Sequence, residues 1–361
     1  MAALLLLAVP FPIQSHLPLL SSKRTRMGLA VTAAYELKEG QSRIFHRLPS
    51  GLRMEAIVQS PLPGSGVSGS TLPLVFVHGS FHAAWCWAEH WLPFFSSSGH
   101  HCFALSLLAQ GESDVPEGSS SAGTLQMHVS NVADFIRKEV NLPPVLIGHS
   151  FGGLIVQSYL SRMENEREDL LPLLAGAVLV CSVPPSGNSG LVWRYLFTKP
   201  IAAVKVTLSL AAKAFMNSLP LCKETFFSST VDDHLVLRYQ TLMRESSKLP
   251  LFDLRKLNAS LPVPSIPKNS VKLLIIGASD DFIVDLEGLQ ETAKFYDVQP
   301  VCLEGVAHDV MLDLNWQKDM NMELDWNSYQ IAFKLAFRRG RTKESMAPKE
   351  QSQNHQENVK R

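Results

Sequence analysis

The sequence carries no excess of charge and few cysteines, and both absences exclude classes of function. Lysine plus arginine and aspartate plus glutamate number 33 each among the 361 residues, so the formal net charge is zero. Proteins whose main partner is nucleic acid carry a basic surface, so we do not expect nucleic acid as a partner. The five cysteines are odd in number, and no two have C-x-x-C spacing, which indicates neither a disulfide framework nor a zinc site.

Long apolar runs and early acidic residues are also missing. No run of 18 or more apolar residues occurs, so we expect no membrane-spanning helix. No acid precedes Glu36, whereas Lys23, Arg24 and Arg26 follow a short apolar segment rather than precede it. This order favours an organelle transit peptide over residues 1–35, plastid ahead of mitochondrion. A signal peptide or short membrane anchor and an ordinary disordered tail are the alternatives.

Short apolar segments alternate with helical patterns in two stretches, 36–183 and 268–339. A hairpin opens the first stretch, because strand-like arms flank Pro49-Ser50-Gly51. Buried strands are predicted at 74–77, 102–105, 145–148, 175–181, 271–277 and 301–303, and helices at 83–95, 124–139, 152–163, 286–296 and 327–338. This alternation predicts an α/β fold with a mostly parallel, doubly wound sheet.

The alternation stops between residues 184 and 267, where no strand-like run occurs. Helical patterns at 201–216 and 231–243 predict a helical insertion that forms a cap over the site. The apolar pattern at 201–216 predicts packing onto the pocket, and contact with a membrane surface through the cap is the alternative. Residues 340–361 are polar and rich in Gln, Lys and Glu, which predicts a disordered tail.

A G-x-S-x-G motif occupies the turn between a predicted strand and a predicted helix, with Ser150 at its centre in Gly148-His149-Ser150-Phe151-Gly152. This context is typical of a nucleophilic serine at a sharp turn. The five residues alone favour this interpretation no more than a glycine-rich turn. A serine hydroxyl also needs a base and an orienting acid, which the same architecture places on loops at the carboxyl ends of later strands.

The candidate base is His308, because it follows the predicted strand at 301–303; His234 falls in the cap and His355 in the polar tail. The candidate acid ends the strand at 271–277, where Asp280 and Asp281 are adjacent. We favour Asp281, which directly precedes an apolar triplet, and Asp280 is the alternative.

A tetrahedral intermediate also needs donors for its oxyanion. The backbone amide of Phe151 follows the serine at a helix start. The second amide is assigned to Ser80, after His78-Gly79, with Phe81 as the alternate. These are main-chain roles, so a Ser80→Ala substitution should matter little.

Several motifs together resemble the α/β-hydrolase superfamily over roughly residues 41–338. They are His78-Gly79, Gly111-x-Ser113, the 148–152 elbow, Gly277…Asp281 and Gly305…His308. The chain resembles plant organelle-targeted esterases in particular. Its run 78–87 also resembles, distantly, the plant methylesterase and hydroxynitrile-lyase branch. The resemblance implies ester hydrolysis by a Ser-Asp-His triad, with neither a metal nor an organic cofactor.

The sequence departs from these relatives at two places. Ser106 stands where many relatives have a structural aspartate, and residues 285–290 contain no lysine, which the lyase branch places just beyond the acid. Cyanide elimination is therefore disfavoured. We predict a serine hydrolase that cleaves a hydrophobic or lipid-like carboxylic ester. A small-ligand receptor on the same fold, and an acyltransferase or carbon–carbon hydrolase with the same triad, are the alternatives.

Overall fold

The computed structural model describes residues 35–61, 71–165, 171–198, 200–267 and 270–313. The predicted transit peptide, apart from residue 35, lies outside these ranges. The predicted helix at 327–338 and the polar tail from residue 340 also lie outside them, so these three predictions stay predictions. The described residues contain no helix that is both long enough and apolar enough to cross a membrane.

Eight strands form one sheet in the described residues, in the order β1-β2-β4-β3-β5-β6-β7-β8. They are β1 Gln41–Arg47, β2 Arg53–Gln59, β3 Leu74–Val77, β4 Cys102–Leu105, β5 Val145–His149, β6 Gly176–Val180, β7 Leu273–Ala278 and β8 Val301–Leu303. β2 pairs antiparallel with β1 and with β4, and all other neighbours are parallel. The predicted hairpin and the mostly parallel sheet are therefore confirmed.

The central strand β3 shows why the sheet is covered on both faces. Successive side chains of a strand point to opposite faces. Val75 and Val77 belong to a large apolar core, whereas Phe76 between them packs on Trp87 and Trp91 with ring centroids 5.2 and 6.4 Å apart. Strands buried on both faces are apolar throughout, as the four residues of β3 are.

The core helices are α1 Trp85–Ala88, α2 Trp91–Ser97, α3 Leu125–Glu139, α4 Phe151–Asn165 and α10 Leu286–Tyr296. Thr124 caps α3 by accepting a hydrogen bond from the Met127 amide, and Asp285 caps α10 in the same way. One continuous helix over 83–95 was the wrong prediction. His90 has φ −134°, which is outside the helical range and separates α1 from α2.

The segment between β6 and β7 is helical, as predicted for the cap, and its described residues contain no strand. Its helices are α5 Ser189–Thr198, α6 Pro200–Val206, α7 Leu219–Phe226, α8 Asp233–Ser246 and α9 Leu254–Ala259. A single helix over 201–216 is wrong. The chain passes from α6 into a π-helical turn, and Lys213 then adopts a left-handed backbone with φ +53°, which ends the helix.

Helix α8 lies over α1, next to the carboxyl ends of the central strands. The Trp85 indole stacks on Tyr239 at 6.1 Å and donates a hydrogen bond to Ser246 Oγ at 2.9 Å. The Ser246 carbonyl accepts from the Gly111 amide at 2.9 Å. The cap therefore covers the edge of the sheet where the predicted site residues are located.

Candidate active site

Ser150 stands on a strained turn between β5 and α4. Its φ is +54°, a left-handed conformation that non-glycine residues rarely adopt. Gly148 and Gly152, two residues to either side, stand where there is no room for a Cβ. A Cβ on Gly148 would come 2.5 Å from the Gly152 carbonyl oxygen, and one on Gly152 would collide with the backbone of Val77 and His78. The glycines of the G-x-S-x-G motif are thus required by close backbone contacts.

Asp281 and His308 meet on the loops that follow β7 and β8. His308 Nδ1 donates a hydrogen bond to Asp281 Oδ2 at 2.8 Å, and both residues are buried. The other carboxylate oxygen accepts the amides of Ile283 and Val284, each at 2.8 Å. These two bonds hold the carboxylate in one orientation, and with it the imidazole ring.

The structure separates the two candidate acids. Asp280 is exposed, and its carboxylate accepts a hydrogen bond from the neighbouring Ser279 hydroxyl at 2.9 Å. The side chains of adjacent residues leave the strand end in different directions, which is why only one of the two carboxylates reaches His308.

The environment of His308 raises its pKa above that of a free histidine. Burial lowers the pKa of His308, but the charge of Asp281, the hydrogen bond to it and the charge of Asp309 raise the pKa, and the net shift is upward from 6.5. Since Nδ1 donates to Asp281, Nε2 is the nitrogen left to take up a proton.

The loop after β3 lies against Ser150. A Cβ on Gly79 would come 2.8 Å from the Ser150 Cβ, so only glycine allows the loop to approach this closely. Phe81, two residues on, has φ +69°. Ser80 lies between Gly79 and Phe81 and is therefore held beside Ser150. Phe151 directly follows Ser150 and begins α4.

His149, the variable residue of the elbow, has a contact that sequence reasoning missed. Its Nε2 donates to the carbonyl oxygen of His308 at 2.9 Å. Burial and the nearby His308 hold the pKa of His149 well below its usual 6.5, so the ring is neutral near pH 7. The motif leaves this position unspecified, so no sequence signal pointed to the contact.

His78 ties two loops at the same edge. Its Nε2 accepts a hydrogen bond from the Leu107 amide at 3.0 Å, which requires an unprotonated nitrogen. Burial lowers the pKa of His78 to about 3, consistent with that role. The loop after β3 is thereby held to the loop after β4.

Glu55 supplies the carboxylate that Ser106 lacks. The Ser106 hydroxyl donates to Glu55 Oε2 at 2.7 Å and accepts from the Ala84 amide at 2.9 Å. The same carboxylate accepts from the Glu112 amide at 2.8 Å and pairs with Arg43 at 2.7 Å. The carboxylate beside Ser106 is therefore carried by β2, the strand next to β4, and a glutamate within the apolar run of β2 was the overlooked signal.

Two groups of side chains in the described residues are close enough to hold a cation: His149, His308 and Asp309, and Cys181, Asp281 and His308. Both groups include His308. A metal in either place would compete with the hydrogen bonds that these side chains already make.

Aromatic side chains from the cap cover the loop beside Ser150. Phe215 packs on Phe81 at 5.0 Å and on Phe226 at 5.0 Å, and Phe226 packs on the His82 ring at 6.0 Å. Ser150 itself is 7% exposed. The serine therefore lies under an apolar, aromatic cover.

A strained serine at a strand-to-helix turn, on a sheet of this order, defines an α/β-hydrolase. The sequence profile of the alpha/beta hydrolase family matches residues 74–317, which is 244 of the 361 residues. The chain belongs to this family. The predicted fold class and the predicted family are thereby confirmed.

Relatives and solved structures agree with this assignment. The chain is 32% identical over 115 residues to protein phosphatase methylesterase 1 of Rattus norvegicus, covering 31% of this chain and 28% of that protein. It is 34% identical over 115 residues to norfluorocurarine synthase 1 of Strychnos nux-vomica, covering 31% and 38%. An esterase from Exiguobacterium antarcticum superposes with a TM-score of 0.57 at 17% identity, covering 79% of this chain and 98% of that one.

The matches span well under half of the length of these two relatives. They therefore do not assign a particular activity to this chain. The structural match, at 17% identity, concerns the fold.

Proposed function

We propose that this protein is a serine hydrolase that cleaves a carboxylic ester, with Ser150 as nucleophile, His308 as base and Asp281 as the orienting acid. The observation that carries the proposal is the buried 2.8 Å hydrogen bond from His308 to Asp281, beside a serine at φ +54°. His149 links the two, because it precedes the serine and donates to the His308 carbonyl.

In the proposed reaction, His308 Nε2 takes the proton of the Ser150 hydroxyl as Oγ attacks the ester carbonyl carbon. The negative charge that forms on the carbonyl oxygen is stabilised by the amides of Phe151 and Ser80. His308 returns the proton to the leaving alcohol, which leaves an acyl group on Oγ. A water, deprotonated by His308, then attacks the acyl carbon. The bond to Oγ breaks, His308 returns the proton to Oγ, and the acid and the free serine are released.

The proposed substrate is a hydrophobic or lipid-like ester. The aromatic cover of Phe81, Phe215 and Phe226 supports this class, since an apolar acyl or alcohol group gains free energy when it enters such a pocket. The names of the rat methylesterase and the bacterial esterase support ester hydrolysis. The plant relative is named a synthase and not an esterase, so the products of the reaction catalysed by this protein should be identified directly.

The test is hydrolysis of p-nitrophenyl esters of increasing acyl length. Ser150→Ala should reduce kcat by about 10³ or more, and kcat/KM should rise with acyl length in the wild-type protein. Ser158→Ala, at an equally buried serine on the helix that follows Ser150, is the control and should keep its activity. Unchanged turnover in the Ser150 variant contradicts the proposal.

Two alternatives give different outcomes in the same experiment. A receptor would react with a fluorophosphonate at Ser150 yet turn over the esters very slowly. An acyltransferase would form a new ester when an alcohol acceptor is added, which product analysis detects.

A further inference from the structure

We propose that His82 and Asp309 form a positioning clamp, which holds the oxyanion-binding loop 79–81 against the loop that carries His308. This inference rests on the proposed function, and it assigns both residues a role that their positions in the sequence do not reveal. Neither residue is given a part in the chemical steps themselves.

His82 makes two hydrogen bonds, one at each ring nitrogen. Its Nδ1 donates to the Ser80 carbonyl oxygen at 2.8 Å, and its Nε2 lies 2.9 Å from Asp309 Oδ2. The carbonyl is an acceptor only, so Nδ1 carries a proton. The second bond is complete when Nε2 also carries a proton, or when the carboxyl group of Asp309 does. The pair is 227 residues apart in sequence and joins two separate loops.

Asp309 is completely buried, which makes an accidental contact a poor explanation. Oδ1 has no hydrogen-bond partner among the described residues, and the neutral His149 ring lies beyond hydrogen-bond distance, with Nε2 3.8 Å from Oδ1. A buried carboxylate is costly unless it is paired, and the His82 ring is the partner that makes its burial tolerable.

The backbone of Asp309 is fixed from the cap. Its amide donates to the Phe226 carbonyl at 2.9 Å, at the end of α7, while the Phe226 ring packs on His82 at 6.0 Å. Because Asp309 directly follows His308, this support also restrains the base. One pair of side chains therefore connects the loop after β3, the loop after β8 and the cap.

The loop that the clamp holds is strained. Phe81 has φ +69°, a left-handed conformation that a non-glycine residue keeps only where surrounding contacts impose it. The bond from His82 fixes the peptide plane that holds the Ser80 carbonyl and the Phe81 amide. It therefore restricts the backbone rotation of Ser80, whose own amide is the proposed oxyanion donor. Loss of the clamp should let the loop relax and misplace that amide.

The test measures kcat and KM on a p-nitrophenyl ester for four variants. His82→Ala and Asp309→Ala should each lower kcat by about 10², the scale of losing one oxyanion donor, with KM within about threefold of wild type. His82→Asn keeps a donor near the position of Nδ1 and should recover about tenfold of the loss. The double alanine variant should be no slower than the slower single variant, because either change already opens the clamp.

The control is His128→Asn, at a histidine that is equally buried and hydrogen-bonded to the Leu251 carbonyl. It should lower the thermal midpoint without lowering kcat. Folding of every variant is checked by circular dichroism. If the alanine variants do not fold, Asp309→Asn, which preserves side-chain volume, and His82→Asn, which keeps the donor to the Ser80 carbonyl, decide the question.

Folded variants with kcat within twofold of wild type would overturn the clamp, as would effects that multiply in the double variant. Failure of the proposed function looks different. In that case the wild-type protein itself does not hydrolyse the ester, or Ser150→Ala retains its activity.

Discussion

Replacement of Asp281 by asparagine changes one atom at the centre of the proposed triad. The two amides of Ile283 and Val284 fix which end of the substituted side chain can face them, because they need an oxygen acceptor. The side-chain NH2 group of the asparagine must then face His308 Nδ1. Two donors cannot form a hydrogen bond with each other, so Nδ1 of His308 would lose its proton and Nε2 would carry one instead. A protonated Nε2 cannot accept the proton of Ser150.

The expected loss follows from this tautomer. A base held in the wrong tautomer loses about 10⁴ in kcat in serine proteases with the same arrangement, equivalent to about 5.4 kcal/mol in activation free energy. The pKa of His308 should also fall, because burial lowers it and the charge of Asp281 is the largest influence that raises it. The acidic limb of the pH profile of kcat/KM should therefore move to lower pH in the variant.

The assay is the pH dependence of p-nitrophenyl ester hydrolysis by Asp281→Asn, with Asp280→Asn as the matched control. Asp280 is exposed and hydrogen-bonded to Ser279, so its variant should stay within about threefold of wild type. A mild effect at 281, or an equal loss at 280, would refute the assignment of the acid.

Three further predictions concern stability and surface contact. Ser106→Ala should lower the free energy of unfolding by about 1–3 kcal/mol, measured by urea denaturation, because it leaves the buried Ala84 amide without its acceptor. The free energy of unfolding should fall by about 2–4 kcal/mol between pH 6.5 and pH 5. Burial lowers the pKa of His78 to about 3 and that of His128 to about 4, so in this range the unfolded chain binds protons that the folded chain does not. Urea denaturation at each pH measures this fall, and a free energy that does not change with pH contradicts the prediction. If the cap contacts membranes, Phe197→Ser should reduce the fraction of protein that sediments with phosphatidylcholine vesicles, because the Phe197 side chain is 76% exposed. Equal sedimentation of the wild-type protein and the variant contradicts the contact.

The sequence predicted the sheet well because its strands are short, apolar and separated by helices. The strands at 74–77, 102–105 and 301–303 and the helix at 286–296 have the predicted bounds. Burial on both faces makes such strands apolar throughout, so the pattern carries the signal. The helix at 201–216 was wrong because its apolar pattern continues through Lys213, whose left-handed backbone no composition rule reveals.

The candidate site divides in the same way. Ser150, Asp281 and His308 follow local rules, since each occupies a loop at the carboxyl end of a strand. The contacts of His149 and of Glu55 depend on which strands and loops meet in space. A single sequence does not encode such pairings in any local pattern.

The central claim is that Ser150 is the nucleophile, and covalent labelling tests it most directly. The wild-type protein is treated with a fluorophosphonate, digested and mapped by mass spectrometry, alongside the Ser150→Ala and Ser158→Ala variants. If Ser150 is the nucleophile, one adduct forms, on Ser150; it is absent from the first variant and retained in the second. An adduct on another residue, or ester hydrolysis that persists when Ser150 is fully labelled, would contradict it.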